Sequence, residues 1–349
     1  MPYCARSPAR SAAEGHAHIR SGSGSGRSPF PDFARHGTVK KLSPAWKRAA
    51  TVALIAAAAF FLFRSIARDW PRIREFDWDV DPLLLAVSVL GLVGVLTWGA
   101  MVWSLVLRRF EHPPVAFVTL LRISFLSNLA RYVPGTVFQF LTAAQMARGA
   151  GLSAVVLLTS LLVHTAASLL SAAIVSAWTL SPTLLPALPR PVAGLAVTAA
   201  ALLCVHPRLL NGVLGILPRL LKREVIRWTG SWAYGIGILA LGVANWVLYG
   251  GAYWLLLRSL TPVSAAHLPM LSGVNALSFL AGWIFWIAPA GAGPREVVMR
   301  TLLLPLLPGG VASIIAVAAR LWNVAGELLA GVIALALGAR SRPEPPAAP

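Results

Sequence analysis

Two stretches of the sequence place arginine, glutamate and helix-breaking residues inside otherwise apolar segments. The first runs over 122–145 around Arg-Tyr-Val-Pro-Gly at 131–135, and the second over 275–300 around Pro-Ala-Gly-Ala-Gly-Pro-Arg-Glu at 289–296. The planar guanidinium of arginine matches the oxygens of a phosphate group. N–H groups at the start of a helix add positive potential toward the same anion. These residue types therefore predict a binding site for an anionic lipid headgroup.

The candidate headgroup-binding residues come from both stretches and are Arg122, Asn128, Arg131, Tyr132, Pro134, Gly135 and Gln139 in the first, and Pro289, Gly291, Gly293, Arg295 and Glu296 in the second. Further along the chain, Arg320 and Glu327 lie two helical turns apart and share one helix face. We expect them to complete a charge network through the pairs Arg295–Glu327 and Glu296–Arg320. Two explanations stay open: the pairs are structural, or one glutamate exchanges partners while a lipid phosphate binds arginine.

A stripe of small polar residues recurs at steps of four, four and three, at Ser160, His164, Ser168 and Ser171. Small residues at this spacing favour close packing of two helices. His164 is also a candidate proton relay, because imidazole titrates near neutral pH.

Three aspartates at 77, 79 and 81 alternate like the start of a calcium-binding loop. The sixth position of that pattern requires glycine but holds Pro82. We interpret the cluster as an acidic external loop, and the sequence predicts no metal site and no cofactor.

The composition predicts an all-α polytopic membrane protein. Of the 349 residues, 57% are hydrophobic and only 12% are charged, whereas soluble domains carry about 25% charged residues. The net charge of +18 does not indicate nucleic-acid binding. The basic residues lie mainly in the N-terminal segment and in short loops between apolar runs, a pattern that reports membrane orientation.

We divide the chain into a disordered basic tail (1–45), a transmembrane domain (46–339) and a short C-terminal tail (340–349). Six apolar runs reach the length of about 17–25 residues that spans a bilayer, at roughly 47–66, 82–107, 152–180, 189–206, 232–257 and 311–337. Basic residues flanking these runs predict cytoplasmic N- and C-termini in the plasma (inner) membrane.

The segments 117–147 and 268–305 are apolar but interrupted near their middle. If the chain has six spans, each of these two segments begins and ends on the same side of the membrane. We therefore interpret them as re-entrant helical hairpins that enter from opposite faces of the membrane. Both contain Ser-Phe-Leu, at 124–126 and 278–280, ahead of a Pro/Gly break, which favours an inverted repeat. In the alternative, full crossing by a hairpin raises the count to eight spans and leaves the termini where they are.

The run Ser-Phe-Leu-Ser-Asn-Leu-Ala-Arg-Tyr-Val-Pro-Gly-Thr-Val at 124–137 and the run Pro-Ala-Gly-Ala-Gly-Pro-Arg-Glu at 289–296 resemble motifs of the lysylphosphatidylglycerol synthetase/flippase transmembrane-domain family. The resemblance covers about 50–338 and departs from the family pattern at Ala290, Ala292 and Pro294. It implies translocation of lipids or handling of lipid-linked intermediates. No aminoacyltransferase domain follows the last apolar run, so we expect no lipid aminoacylation.

Three functions follow as hypotheses. The first is a flippase or transporter for an anionic phospholipid or a lipid-linked precursor. The second is a membrane-embedded transferase acting on polyprenyl-linked sugars, with Glu296 or Glu327 as general base. The third is a non-transporting partner of a cell-envelope enzyme. The expected partners are anionic or polyprenyl-linked membrane lipids, together with a second copy of the chain or an envelope-synthesis enzyme.

Overall fold

The structure is a computed structural model and describes residues 67, 70–76, 78–110, 112–131, 137–184, 189–220, 226–284 and 293–339. The helices in these residues are α1 Trp70–Arg74, α2 Pro82–Leu107, α3 Phe117–Ala130, α4 Val137–Gly149, α5 Ala154–Leu184, α6 Arg190–Cys204, α7 Pro207–Leu220, α8 Trp232–Arg258, α9 Leu268–Ile284, α10 Pro294–Leu303 and α11 Gly309–Ala339. The described part of the chain contains no β-strand. The tails 1–45 and 340–349 and the first predicted span, 47–66, lie outside the described residues.

Four of these helices are long and apolar enough to cross a membrane, namely α2, α5, α8 and α11. Their outer faces carry large apolar side chains: Leu83 on α2 is 73% exposed, and Leu335 on α11 is 61% exposed. Lipid tails solvate such side chains, so exposure that would be costly in water is expected here. The described residues therefore form a helical membrane protein with four, or at most five, candidate spans.

The predicted segment 189–206 corresponds to α6, and the fifth candidate span extends beyond it. A further helix, α7, follows and meets α6 at an angle of 64°. Pro207 begins the second helix. A proline inside one continuous helix would remove a hydrogen bond and clash with the preceding turn. The bend between α6 and α7 therefore lies at the end of the predicted segment, directly before Pro207.

Each predicted hairpin segment is a pair of short helices. Segment 117–147 covers α3 and all but the last two residues of α4, and segment 268–305 contains α9 and α10, with a 3₁₀ turn at Ala265–His267 before α9. The two members of each pair pack against each other. The interruptions at 132–136 and 285–292 lie outside the described residues.

Helices α2 and α8 pack side by side in opposite directions. At the start of α2 the backbone N–H of Asp81 donates to the carbonyl of Ser259, at 2.9 Å, just after α8 ends. Beyond the other end of α2 the carbonyl of Arg109 accepts from the N–H of Thr229, at 3.1 Å, just before α8 begins. These two contacts show that the pair is antiparallel.

The packing falls into two sets that correspond helix for helix. The set α2, α3, α4 and α5 has the same order of long, short, short and long helices as the set α8, α9, α10 and α11. In the first set, α2 packs on α3, α3 on α4, and α4 on α5. In the second set, α8 packs on α9, α9 on α10, and α10 on α11 in the same way. Between sets, α3 packs on α11 as α9 packs on α5, and α2 packs on α11 as α8 packs on α5.

Candidate functional site

One side of α11 carries polar residues that lie inside the helix bundle. Ser313, Arg320, Asn323 and Glu327 follow at steps of seven, three and four, which aligns them along one side of the helix. Ser313, Asn323 and Glu327 are buried, and Arg320 is partly buried. Because a buried charge costs several kcal/mol unless it is paired, the partners of these residues define the site.

Glu327 pairs with Arg131, the residue that ends α3. Helix α3 runs antiparallel to α11: toward its start Arg122 Nε donates to the carbonyl of Ala334, at 3.2 Å, and its last residue reaches back to Glu327. The second carboxylate oxygen of Glu327, Oε2, is buried and accepts no hydrogen bond from any described residue. The pair Arg295–Glu327 expected from the sequence is therefore corrected to Arg131–Glu327, because this face of α11 turns toward α3.

Glu296 and Arg320 form the other ion pair, with 3.5 Å between Oε1 and Nη1, as expected from the sequence. Glu296 is buried, and its Oε2 accepts from the N–H of Gly293 at 2.6 Å. Gly293 has a φ of 99°, a value that favours glycine because other residues meet steric conflict there. The glutamate thus both caps the start of α10 and holds it against α11.

Arg295 points to a different partner from that of its neighbour Glu296. Its Nη2 donates to the hydroxyl oxygen of Tyr249 on α8, at 3.1 Å, and that hydroxyl donates to Oδ1 of Asn323. Asn323 in turn donates from Nδ2 to the carbonyl of Ala319 at 2.7 Å. The partner of this guanidinium is thus a neutral hydroxyl group.

Tyr249 and Asn323 were missed by the sequence-based prediction. Asn323 could have been found, because it lies three residues after Arg320 and four before Glu327, on the same helix face. Tyr249 lies in the aromatic and apolar sequence of α8, without a neighbouring charge to mark it.

Two further candidates meet across the first interruption. Gln139 near the start of α4 donates from Nε2 to Oδ1 of Asn128 near the end of α3, at 3.1 Å. This hydrogen bond joins the two halves of the interrupted segment. Five other candidates fall in the interruptions and lie outside the described residues: Tyr132, Pro134, Gly135, Pro289 and Gly291.

The serine stripe of α5 packs against neighbouring helices, in line with its spacing. Ser160 accepts a hydrogen bond from the indole N–H of Trp103 on α2, at 3.1 Å. Ser171 lies against Gly242 of α8, where a Cβ would collide with its hydroxyl group. His164, the candidate relay, lines a small cavity with residues of α2 and α8, and the lining includes no residue of α11.

Arginine outnumbers glutamate around α11. The arginines of α3, α10 and α11 are Arg122, Arg131, Arg295, Arg300 and Arg320, whereas Glu296 and Glu327 are the only acidic residues that the sequence contains between 225 and 343. The interruptions 132–136 and 285–292 contain no charged residue. Three positive charges are therefore left without a carboxylate in these helices, which favours binding of an anion.

Comparison with protein-family models gives no match to this chain, and no curated protein matches it significantly. The fold and the site define a helical membrane protein in which one of the two longest helices takes part in ion pairs with buried glutamates.

Proposed function

We propose that this protein moves an anionic phospholipid or a lipid-linked precursor across the plasma membrane. The observation that carries the proposal is the excess of arginine along α11, on which residues from both interrupted segments pack. An anionic headgroup would supply the missing negative charge, and the surrounding apolar helices would accommodate its tails. The resemblance of the two motifs to the lysylphosphatidylglycerol synthetase/flippase family supports the same function.

The proposed topology has six spans and two re-entrant hairpins, α3–α4 and α9–α10, arranged as an inverted repeat. Two observations support it: α2 and α8 are antiparallel, and every packing pair in one set of helices has a counterpart in the other. Inverted repeats let a transporter expose one central site to either side by tilting one half against the other. In this arrangement the charges of α11 lie near the middle of the membrane.

Two arginines would have distinct roles in headgroup binding. Arg295 has a neutral hydrogen-bond partner, so a phosphate group can approach it without displacing a carboxylate. Arg131 is 26% exposed while Glu327 is 2% exposed, so an arriving phosphate reaches the guanidinium from the open side of the ion pair. Exchange of Glu327 for phosphate would loosen α3 from α11 and couple headgroup binding to movement of the first hairpin.

The test is a flipping assay on the full-length protein in liposomes. Fluorescent phosphatidylglycerol is placed in both leaflets, and a membrane-impermeant reductant quenches the outer leaflet, so further loss of signal measures exchange. We expect exchange by the wild type and a reduction of about tenfold or more in Arg295→Gln, because a hydrogen bond to a charged group contributes about 1.5–3 kcal/mol and about 1.4 kcal/mol corresponds to a factor of ten. Arg258→Gln is the matched control, since Arg258 pairs with the exposed Asp79 away from α11.

No exchange above empty liposomes, for phosphatidylglycerol and for a polyprenyl phosphate alike, would refute the proposal. Equal loss in Arg295→Gln and Arg258→Gln would refute the assigned site but not the activity. Incubation with a sugar nucleotide and polyprenyl phosphate distinguishes the transferase hypothesis from the transporter hypothesis, because only a transferase forms a glycolipid product.

A further inference from the structure

A small cavity lies where α2, α5 and α8 meet, on a part of the fold that the proposed function does not use. Its volume is about 30 Å³, and its lining includes His164 from α5 and Asn245 from α8. Gly99 leaves the space open, because a Cβ at this position would meet no atom within 4 Å.

Two polar atoms of the cavity lining are buried without a hydrogen-bond partner. They are Nδ1 of His164 and Oδ1 of Asn245, neither of which bonds to any described residue. Leaving a buried polar atom unpaired costs about 1–3 kcal/mol, and nearly all such atoms in native proteins find a partner. Two of them on one cavity therefore point to a missing ligand that bonds to both.

We infer that a water molecule occupies this cavity and bridges His164 to Asn245. The cavity exceeds the roughly 10–15 Å³ of probe-occupied volume that a water needs, and cavities that stay empty are lined by apolar groups. Water has two O–H donors, which match the two acceptors that face it when the imidazole carries its proton on Nε2. If the Asn245 amide is turned the other way, its N–H₂ donates to the water oxygen and the bridge remains.

A metal cation is a poorer match for the same space. Hard cations such as Ca²⁺ take about six to eight oxygen ligands, whereas the polar lining consists of one amide, one imidazole and the hydroxyl of Ser168. A direct contact between the histidine and the asparagine would satisfy both groups, but the two atoms have no such bond. The water thus joins α5 to α8 within the membrane, independently of lipid transport.

Water-edited solid-state NMR tests the inference on the full-length protein in liposomes, with ¹⁵N-labelled histidine. The resonance that disappears in His164→Phe identifies His164. We expect its Nδ1 signal to be that of an unprotonated ring nitrogen. We also expect magnetisation to transfer from water to this nitrogen, so that its signal persists in the water-selected spectrum. An Nδ1 signal that is present in the full spectrum but lost after water selection would overturn the inference.

Two asparagine variants localise the water. Asn245→Leu should abolish the transfer to His164, because leucine removes one hydrogen-bonding partner and fills the space. Asn275→Leu is the matched control, since Oδ1 of Asn275 on α9 is likewise buried without a described partner but does not line the cavity. Unchanged transfer in a folded Asn245→Leu would overturn the bridge, and the wild-type spectrum decides the question if that variant does not fold.

Discussion

The two partners of the ion pair between α3 and α11 should differ in how much their loss destabilises the protein. The side chain of Arg131 is 26% exposed, whereas that of Glu327 is 2% exposed. Arg131→Gln leaves a carboxylate enclosed by the bundle, with an oxygen that already lacks a described hydrogen-bond donor. Glu327→Gln leaves a guanidinium on a side chain that is about one quarter exposed. We therefore expect Arg131→Gln to be the more destabilising substitution.

The magnitudes follow from the burial of the charge left behind. Removing one partner of a buried ion pair costs about 3–5 kcal/mol, and this range applies to Arg131→Gln. For Glu327→Gln we expect about 1–2 kcal/mol, near the cost of a lost hydrogen bond to a charged group. The double substitution should cost less than the two single ones together, with a coupling energy of about 1–3 kcal/mol, as for residues in direct contact.

Unfolding of the full-length protein in detergent micelles, followed by tryptophan fluorescence, provides the measurement. Arg258→Gln is the control, because Arg258 and Asp79 are 38% and 60% exposed and such surface pairs contribute about 0–1 kcal/mol. The expected order of stability is wild type, then Arg258→Gln, then Glu327→Gln, then Arg131→Gln. An Arg131→Gln variant as stable as Arg258→Gln would refute the reasoning, since burial would then not govern the cost.

Two further substitutions test the packing and the polar network. Gly250→Ala should lower the unfolding temperature, because the new Cβ would lie 2.7 Å from the backbone Cα of Ser272. Gly251→Ala is the control: its Cβ would meet no atom within 4 Å, so it should be neutral or stabilise by up to about 1 kcal/mol through the higher helix propensity of alanine. Equal effects of the two substitutions would show that α8 and α9 do not pack this closely. Tyr249→Phe should cost about 1–3 kcal/mol because it leaves a buried amide oxygen without its donor, and an unchanged unfolding temperature would mean that the hydroxyl does not link Arg295 to α11.

The long helices and the two interrupted segments could be predicted from the sequence because each depends on local information. Runs of apolar residues fix the spans, and the predicted run 232–257 agrees with α8 to within a residue at each end. The predicted run 189–206 ends directly before Pro207, as α6 does, because proline lacks the N–H that a continuing helix requires. The helix α7 that begins at Pro207 was not predicted.

The pairing of charges could be predicted only in part. Glu296 and Arg320 were paired correctly, because the glutamate needs a cation and few are available within the bundle. Glu327 was assigned to Arg295 because the sequence does not reveal that α3 lies along α11. Which of several arginines meets a given carboxylate is decided by helix packing, and the separation of 196 residues between Arg131 and Glu327 leaves no local signal.

The two sets of helices correspond in packing but differ in chemistry at one matching position. Counted from the first residue of each helix, Gly99 of α2 corresponds to Tyr249 of α8, and Ser168 of α5 corresponds to Asn323 of α11. In the second set a phenol fills this position and its hydroxyl connects Arg295 to Asn323. In the first set glycine leaves the cavity to which we assign a water. The proposed repeat would therefore give both sets the same helix packing. Headgroup recognition would arise in the second set only, where Tyr249 stands in place of the water and bonds to Arg295.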